Sequence, residues 1–366
     1  MNTFKNLCRS SLASLLLGLG CLGGTVRAQS PVGTVSIPTP DNNAYSTSLR
    51  YDSSGNLYAW DGLGVWKQSG GTGTFNNIGS VRAGNSADAG PINFSQNGQS
   101  LLLSNGDGGF YMGTYNGVLW TMPAAGGAAA QVTGSGVPYA YDAVALPAAS
   151  TITGSSAKYL VDQGNSSYSS SSVSICDTST GSNVPVIIND PGATTSIAIN
   201  PKNYTVYIGV GAGPNAGQIY SFSLNQIDSA YNSGEPIDFL SGGTLFDSTA
   251  TGLQSGAGMF FDGNGYLFSG GDGITVFRPN GTIVYDQPSG GKYGFAALTY
   301  DPADNEVLEV PYGSQTGTLY NAARFEPTPE PSTFALLCGA GMAWAASGYK
   351  RRSSLPLAAP GTKECK

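Results

Sequence analysis

The amino-acid sequence predicts an all-β fold, a six-bladed β-propeller over residues 29–325, with one short apolar helix toward either end of the chain. Three observations predict it. Glycine supplies 53 of the 366 residues and only 11% are charged, a composition of short strands and tight turns rather than of helices. A hydrophobic share of 40%, with 20 Tyr, 14 Phe and 4 Trp, gives enough apolar surface to offset chain entropy and excludes disorder. A unit of strand, turn, strand, turn, strand recurs at intervals of roughly fifty residues, the blade length of a propeller. The intervals are uneven, so seven blades, a sandwich or a solenoid stay open as alternatives.

Residues 1–28 read as a removable leader. Lys5 and Arg9 precede the apolar run Leu12 to Leu22, and Val26-Arg27-Ala28 meets the requirements of a signal peptidase, with Gln29 as the new N-terminus. Cys21 raises the question of a lipoprotein signal, but Gly18 stands where a lipobox carries a large aliphatic residue. Of the five cysteines, Cys8 and Cys21 lie in the leader and Cys338 and Cys365 near the end. Only Cys176 is left in the mature region, so its stability rests on its core and not on a disulfide.

The repeat occupies the middle. Leu57-Tyr-Ala-Trp-Asp61-Gly-Leu-Gly-Val-Trp66, Leu101-Leu-Leu-Ser-Asn-Gly-Asp107-Gly-Gly-Phe-Tyr111 and Tyr266-Leu-Phe-Ser-Gly-Gly-Asp272-Gly-Ile-Thr-Val-Phe277 each place an Asp-Gly turn between two strands. Asp-Gly accepts the positive φ that a tight hairpin demands. Looser copies begin at Tyr159, Val206 and Val307. Ahead of the hairpins, Leu49 to Asn56, Ile92 to Gly98, Ile197 to Asn203, Met259 to Gly265 and Leu298 to Asn305 each put a short apolar strand before a polar turn. Stacked radially, such sheets cover one another's faces. The Ala-rich stretch 123–130 and the Ser-rich stretch 166–172 read as surface loops, and residues 225–231 as a short helix. The blades resemble those of six-bladed propellers of the NHL-like and SMP-30-like groups, which often read Asp-x-x-Gly-Asn-Leu-Tyr, as Asp52 to Tyr58 does here.

The chain ends in a proline-rich linker, 326–332, an apolar segment, 333–349, and a basic tail, 350–366, that begins Lys350-Arg351-Arg352. At about 1.5 Å per residue the apolar segment spans roughly 25 Å, a marginal membrane crossing. The prolines at 327, 329 and 331 keep a helix from growing upstream, and the basic cluster favours a cytoplasmic C-terminus. Pro329, Glu330, Pro331 and Ser332, followed by the apolar segment and Lys350, Arg351 and Arg352, resemble the PEP-CTERM sorting signal of exported bacterial proteins. That resemblance implies a Gram-negative bacterium that makes extracellular polysaccharide. It also implies processing by an exosortase-like enzyme after a membrane-anchored stage, and delivery to the envelope or biofilm matrix. Residues 353–366 continue further past the basic run than such tails usually do.

Charge and chemistry exclude several functions. The precursor carries −7, but between Gln29 and Pro331 eight Lys and Arg stand against 22 Asp and Glu, a net charge of −14. Nucleic acid and anionic membrane surfaces are repelled by such a domain, while neutral glycans and cations are compatible with it. The absence of histidine removes Ser-His-Asp and Cys-His catalysis and His-ligated zinc. Carboxylate mechanisms survive, with glutamates at 235, 306, 309, 326 and 330, but no pair stands out. Arg50, Arg82, Arg278 and Arg324 form no cluster in the sequence. Asp61, Asp107 and Asp272 invite a calcium reading, yet Asp-Gly is what the hairpin requires. Gly70-Gly-Thr-Gly73 and Gly209-Val-Gly-Ala-Gly213 lack the partners of a phosphate loop and read as turns. Tyr58, Trp60, Trp66, Tyr111, Tyr115 and Trp120 suit either a sugar-stacking platform or packing between blades. No catalytic residue, metal ligand or cofactor is assigned. The expectation is a binding or structural protein with polysaccharide as the partner; a propeller hydrolase or lyase acting on carbohydrate or lactone is the alternative.

Overall fold

In a computed structural model the chain is described over residues 30–37, 48–62, 64–71, 73–81, 89–105, 119–132, 140–163, 171–190, 192, 194–211, 213–247, 258–270, 273–288, 295–311 and 314–325. All of these belong to the first of two compact units, Met1–Glu326. The leader, the cleavage site Ala28/Gln29 and the entire sorting signal, including Pro329 to Ser332 and Lys350 to Arg352, lie outside the described residues.

Six small sheets build the first unit. The chain opens with β1 (Gly33–Ser36) and proceeds to blade one, β2 (Ser48–Tyr51), β3 (Leu57–Trp60), β4 (Gly64–Gln68) and β5 (Asn76–Ser80). Blade two comprises β6 (Ala89–Phe94), β7 (Ser100–Asn105), β8 (Leu119–Pro123) and β9 (Ala130–Gln131). Blade three comprises β10 (Ala140–Ala145), β11 (Lys158–Gln163), β12 (Ser171–Asp177) and β13 (Asn183–Asp190). Blade four has β14 (Thr194–Ile199), β15 (Val206–Val210) and β16 (Ile219–Phe222), then an insertion of α1 (Leu224–Ser233), β17 (Ile237–Asp238) and α2 (Phe239–Gly242), then β18 (Thr244–Asp247). Blade five comprises β19 (Gly258–Phe261), β20 (Leu267–Gly270), β21 (Gly273–Phe277) and β22 (Ile283–Pro288). Blade six takes β23 (Phe295–Asp301), β24 (Glu306–Pro311) and β25 (Thr316–Asn321) from the end of the unit. Its fourth strand is β1, paired antiparallel with β25 from Gly33↔Leu319 to Ser36↔Thr316.

The first strands of the six blades lie side by side in cyclic order, β2, β6, β10, β14, β19, β23 and back to β2. This closed order makes the molecule a six-bladed β-propeller, with six blades and not seven, and these strands line its central channel. Six hydrophobic clusters occupy the six gaps. Leu49, Tyr51, Leu57, Leu308 and Val310 join blades six and one, together with Val35 and Ile37 from the N-terminal segment. Tyr58, Trp60, Leu101 and Trp120 fill the gap between blades one and two. Leu102, Tyr159 and Cys176 serve blades two and three, and Ile175, Ile187, Ile208 and Phe222 serve blades three and four. Tyr207, Met259 and Phe277 lie between blades four and five, and Phe260, Phe268, Leu298 and Phe325 between five and six. Side chains of successive strand residues point to opposite faces, so one strand feeds both of its gaps: Ala198 enters one cluster and Ile197 the other.

The polar turn after each first strand has a chemical basis. Asp52 accepts hydrogen bonds at Oδ1 from the Ser54 and Asn56 N–H groups, both 2.9 Å, and at Oδ2 from Asn56 Nδ2. Asn200, Asp262 and Asp301 do the same in blades four, five and six, accepting from Lys202 N, from Asn264 N and Tyr266 N, and from Ala303 N and Asp304 N. Asp or Asn at this place satisfies turn N–H groups that no strand can reach. Gly55 completes the blade-one turn at φ 77°, and a Cβ there would meet Asp301 Oδ1 at 3.1 Å.

The insertion follows its own sequence signals. Ser223 and Gln226 form a capping box around the start of α1, and Gly234 ends the helix at φ 72°. Residues 225–231, read as a helix, fall inside α1. Asp228 anchors it to blade three by accepting from Ser150 Oγ, Thr151 N and Thr151 Oγ1. β17 then pairs in parallel with β13, so blade four covers the outer edge of blade three. Two readings need correction: each blade has a fourth strand that the three-strand unit lacked, and Gly209 lies within β15 rather than in a turn. The stretch 123–130 is a surface connection as expected, running from the end of β8 to the start of β9.

Candidate functional site

The channel wall carries the polar groups of greatest interest. Along three successive gaps a side chain of one first strand bonds the backbone of the next. Ser48 Oγ accepts from Ile92 N at 3.3 Å, Asn93 Nδ2 donates to the Ala143 carbonyl, and Asp142 Oδ2 accepts from Ile197 N at 2.8 Å. The remaining acceptors are also occupied, Asn93 Oδ1 by Phe94 N and Asp142 Oδ1 by Ala143 N. These bonds link the inner ends of blades one to four. On the same surface stands Arg50, half-buried on β2.

Arg50 and Asp142 sit on blades one and three, which blade two separates. Burial pushes the Asp142 carboxyl upward, and the positive charge of Arg50 opposes that rise. No ion pair joins them, so the influence is a longer-range electrostatic one. Apart from this attraction, Arg50 has no hydrogen bond or ion pair with any described residue. The one buried ion pair among the described residues is structural: Lys158 Nζ and Asp177 Oδ2 meet at 2.7 Å between β11 and the end of β12.

Two further carboxyl groups sit in gaps between blades. Burial pushes Asp190 up to about 7, against hydrogen bonds from Gly192 N and Ser171. Burial likewise pushes Glu309 up to about 7, against a hydrogen bond with Tyr320. Where blades six and one meet, Asp52, Asp301, Asp304 and Glu306 gather near the turns that follow the first strands. Burial raises Asp301 and Glu306, and the charges of their acidic neighbours raise them further. Among the described residues no three Asp, Glu or Cys side chains converge in a way that could hold a metal ion.

Asp61 proves to be a hairpin clamp, accepting from Gly64 N at 2.6 Å and from the Trp66 indole at 2.7 Å. Its counterparts Asp107 and Asp272 lie outside the described residues, as do Tyr111 and Tyr115. Tyr58, Trp60 and Trp120 pack between blades one and two, and Trp66 against the cluster of blades six and one, which favours packing over a stacking platform for these four. Arg82 is outside the described residues, and Arg324 donates to the Ser30 carbonyl. Sequence reading passed over Ser48, Asn93 and Asp142 and treated Arg50 as one scattered arginine. A signal was present: Arg50, Asn93 and Asp142 each stand between two apolar residues of a first strand.

No family model and no curated protein matches the chain. Among solved structures, a chain of "Crystal Structure of Mitotic Checkpoint Complex" is similar over 82% of this chain and 97% of its own length, at 10% identity and a TM-score of 0.52. A chain of "Crystal structure of Nidogen/Laminin Complex" is similar over 66% and 80%, at 9% identity and a TM-score of 0.49. Likeness at such identity speaks to fold alone, and a propeller hosts many functions. The class is therefore a six-bladed β-propeller, compatible with a binding or structural role.

Proposed function

We propose that this chain is an exported, PEP-CTERM-sorted protein of the bacterial envelope or biofilm matrix, with a binding or structural role. One observation carries the role: the wall groups Ser48, Asn93 and Asp142 tie neighbouring blades together instead of converging on one reacting point. The leader 1–28 and the tail 326–366 carry the export. A signal peptidase releases Gln29, and an exosortase-like enzyme cuts near Pro329 to Ser332 while residues 333–349 hold the chain at the membrane. The mature mass from an expressing host tests this: a species starting at Gln29 and lacking the tail is expected, and a chain intact through Lys366 overturns it.

A second reading, hydrolysis or elimination on carbohydrate or lactone by carboxylates, has one observation in its favour, the gathering of Asp52, Asp301, Asp304 and Glu306. It is the weaker of the two, because Asp52 and Asp301 already serve as acceptors in turns. Turnover of a glycoside or sugar lactone by the full chain, lost in Glu306→Gln, would put this reading first. Equal rates in the two proteins would dismiss it.

A further inference from the structure

We propose, resting on the binding role inferred above, that the central channel takes a carboxylate monoanion of the sugar-acid class on Arg50, with the Ser48 hydroxyl as a second donor. A guanidinium presents five N–H donors in a planar fork that matches a carboxylate with two parallel hydrogen bonds. Arg50 carries this fork half-buried on the innermost strand of blade one and uses none of it on the described residues. Of the other described cations, Lys158 pairs with Asp177, Lys202 donates to the Asn264 carbonyl, Arg324 donates to the Ser30 carbonyl and Lys67 lies over the Tyr58 ring, while Arg278 is exposed to solvent and not half-buried.

Ser48 precedes Arg50 by two residues on the same strand and so stands on the same side of it. Its oxygen accepts from Ile92 N and its proton stays available to donate. Asp142 spends one lone pair of each oxygen on a backbone N–H group and forms no ion pair with Arg50. Its charge does limit the ligand. Arg50 is the single positive charge at this place in a region that carries −14 between Gln29 and Pro331, so every negative charge on the ligand beyond the one that Arg50 meets is opposed. A phosphate dianion would set its second charge against Asp142. A sugar acid supplies the single carboxylate for Arg50 and hydroxyls for Ser48.

Calorimetric titration of the full-length chain tests this with D-glucuronate, D-glucose and a short oligomer of neutral sugars that ends in one glucuronate. Glucuronate is expected to bind and glucose not to bind. Arg50→Gln should weaken glucuronate at least tenfold, while Lys67→Gln, whose ammonium lies over the Tyr58 ring, should leave it unchanged. If Arg50→Gln does not fold, Arg50→Lys keeps the charge, loses the fork and should show the same weakening. Tighter binding of the oligomer than of the monomer identifies a polymer end as the source, and equal binding identifies the free acid; both support the site. Glucuronate binding that is absent, or that survives loss of Arg50, overturns it. Binding of glucose and glucuronate alike, indifferent to Arg50, also overturns the site but leaves the broader binding role standing.

Discussion

A carboxyl group as enclosed as Asp190, 2% exposed in the gap between blades three and four, links protonation to stability. Its register partner across the β12–β13 ladder is Ser171, and its Oδ1 accepts from Gly192 N at 3.0 Å. These contacts do not offset desolvation, so the folded chain holds the Asp190 proton up to about pH 7, whereas an unfolded chain releases it near 4. The folded state binds the proton more tightly, so this contribution is complete below about pH 4 and is lost as the pH rises through about 7. Asp190→Asn should therefore raise the stability at pH 8 by an amount on the order of a few kcal/mol, seen as a higher melting temperature, and have little effect at pH 4. Thermal unfolding of both proteins across that range is the check, and an equal pH slope in the two would refute the assignment. Tyr220 is the neighbouring titratable group, its hydroxyl raised first by burial and then by the charge of Asp190. The hydroxyl donates to Gln218 Oε1.

At the level of elements, β1 holds the ring shut. Val32 N and Ile37 N donate to the Leu319 and Gln315 carbonyls at either end of the pairing, and Val35 is buried among Leu49, Leu308 and Leu319. Val35→Asp buries a charge with no partner there and should cost about 3 kcal/mol or more, seen as a lower melting temperature and faster proteolysis. Val32→Asp, at a position 44% exposed, should melt with the wild type. An unchanged melting temperature in Val35→Asp would remove β1 from the closure. The sequence made the first two strands of most blades legible, because Asp52, Asn200, Asp262 and Asp301 mark the turn between them with a side chain that the turn chemistry requires. Outer strands gave no such mark. β5 reads Asn76-Asn-Ile-Gly-Ser80 with mostly exposed side chains, and β9 is two residues long, so neither shows an apolar alternation.

For the whole molecule, the blade count could be read from spacing because every gap needs the same apolar supply from two neighbours. The unevenness of that spacing has a physical origin in the insertion between β16 and β18, which lengthens blade four in order to cover blade three. The channel wall was harder to read. Arg50 and Asp142 are remote in sequence, and only ring closure brings them within electrostatic reach of each other; a pattern confined to single strands cannot show that. Likewise nothing in Gly33-Thr-Val-Ser36 announces a strand whose partner is Thr316 to Leu319. That pairing also dictates a timetable. A ribosome delivers β1 early and β25 almost last, so the earliest strand waits with an unsatisfied backbone until nearly all of the unit has been made. Long-range pairings of this kind form slowly, so the ring closes only at the end of folding, after the other blades have their strands in hand.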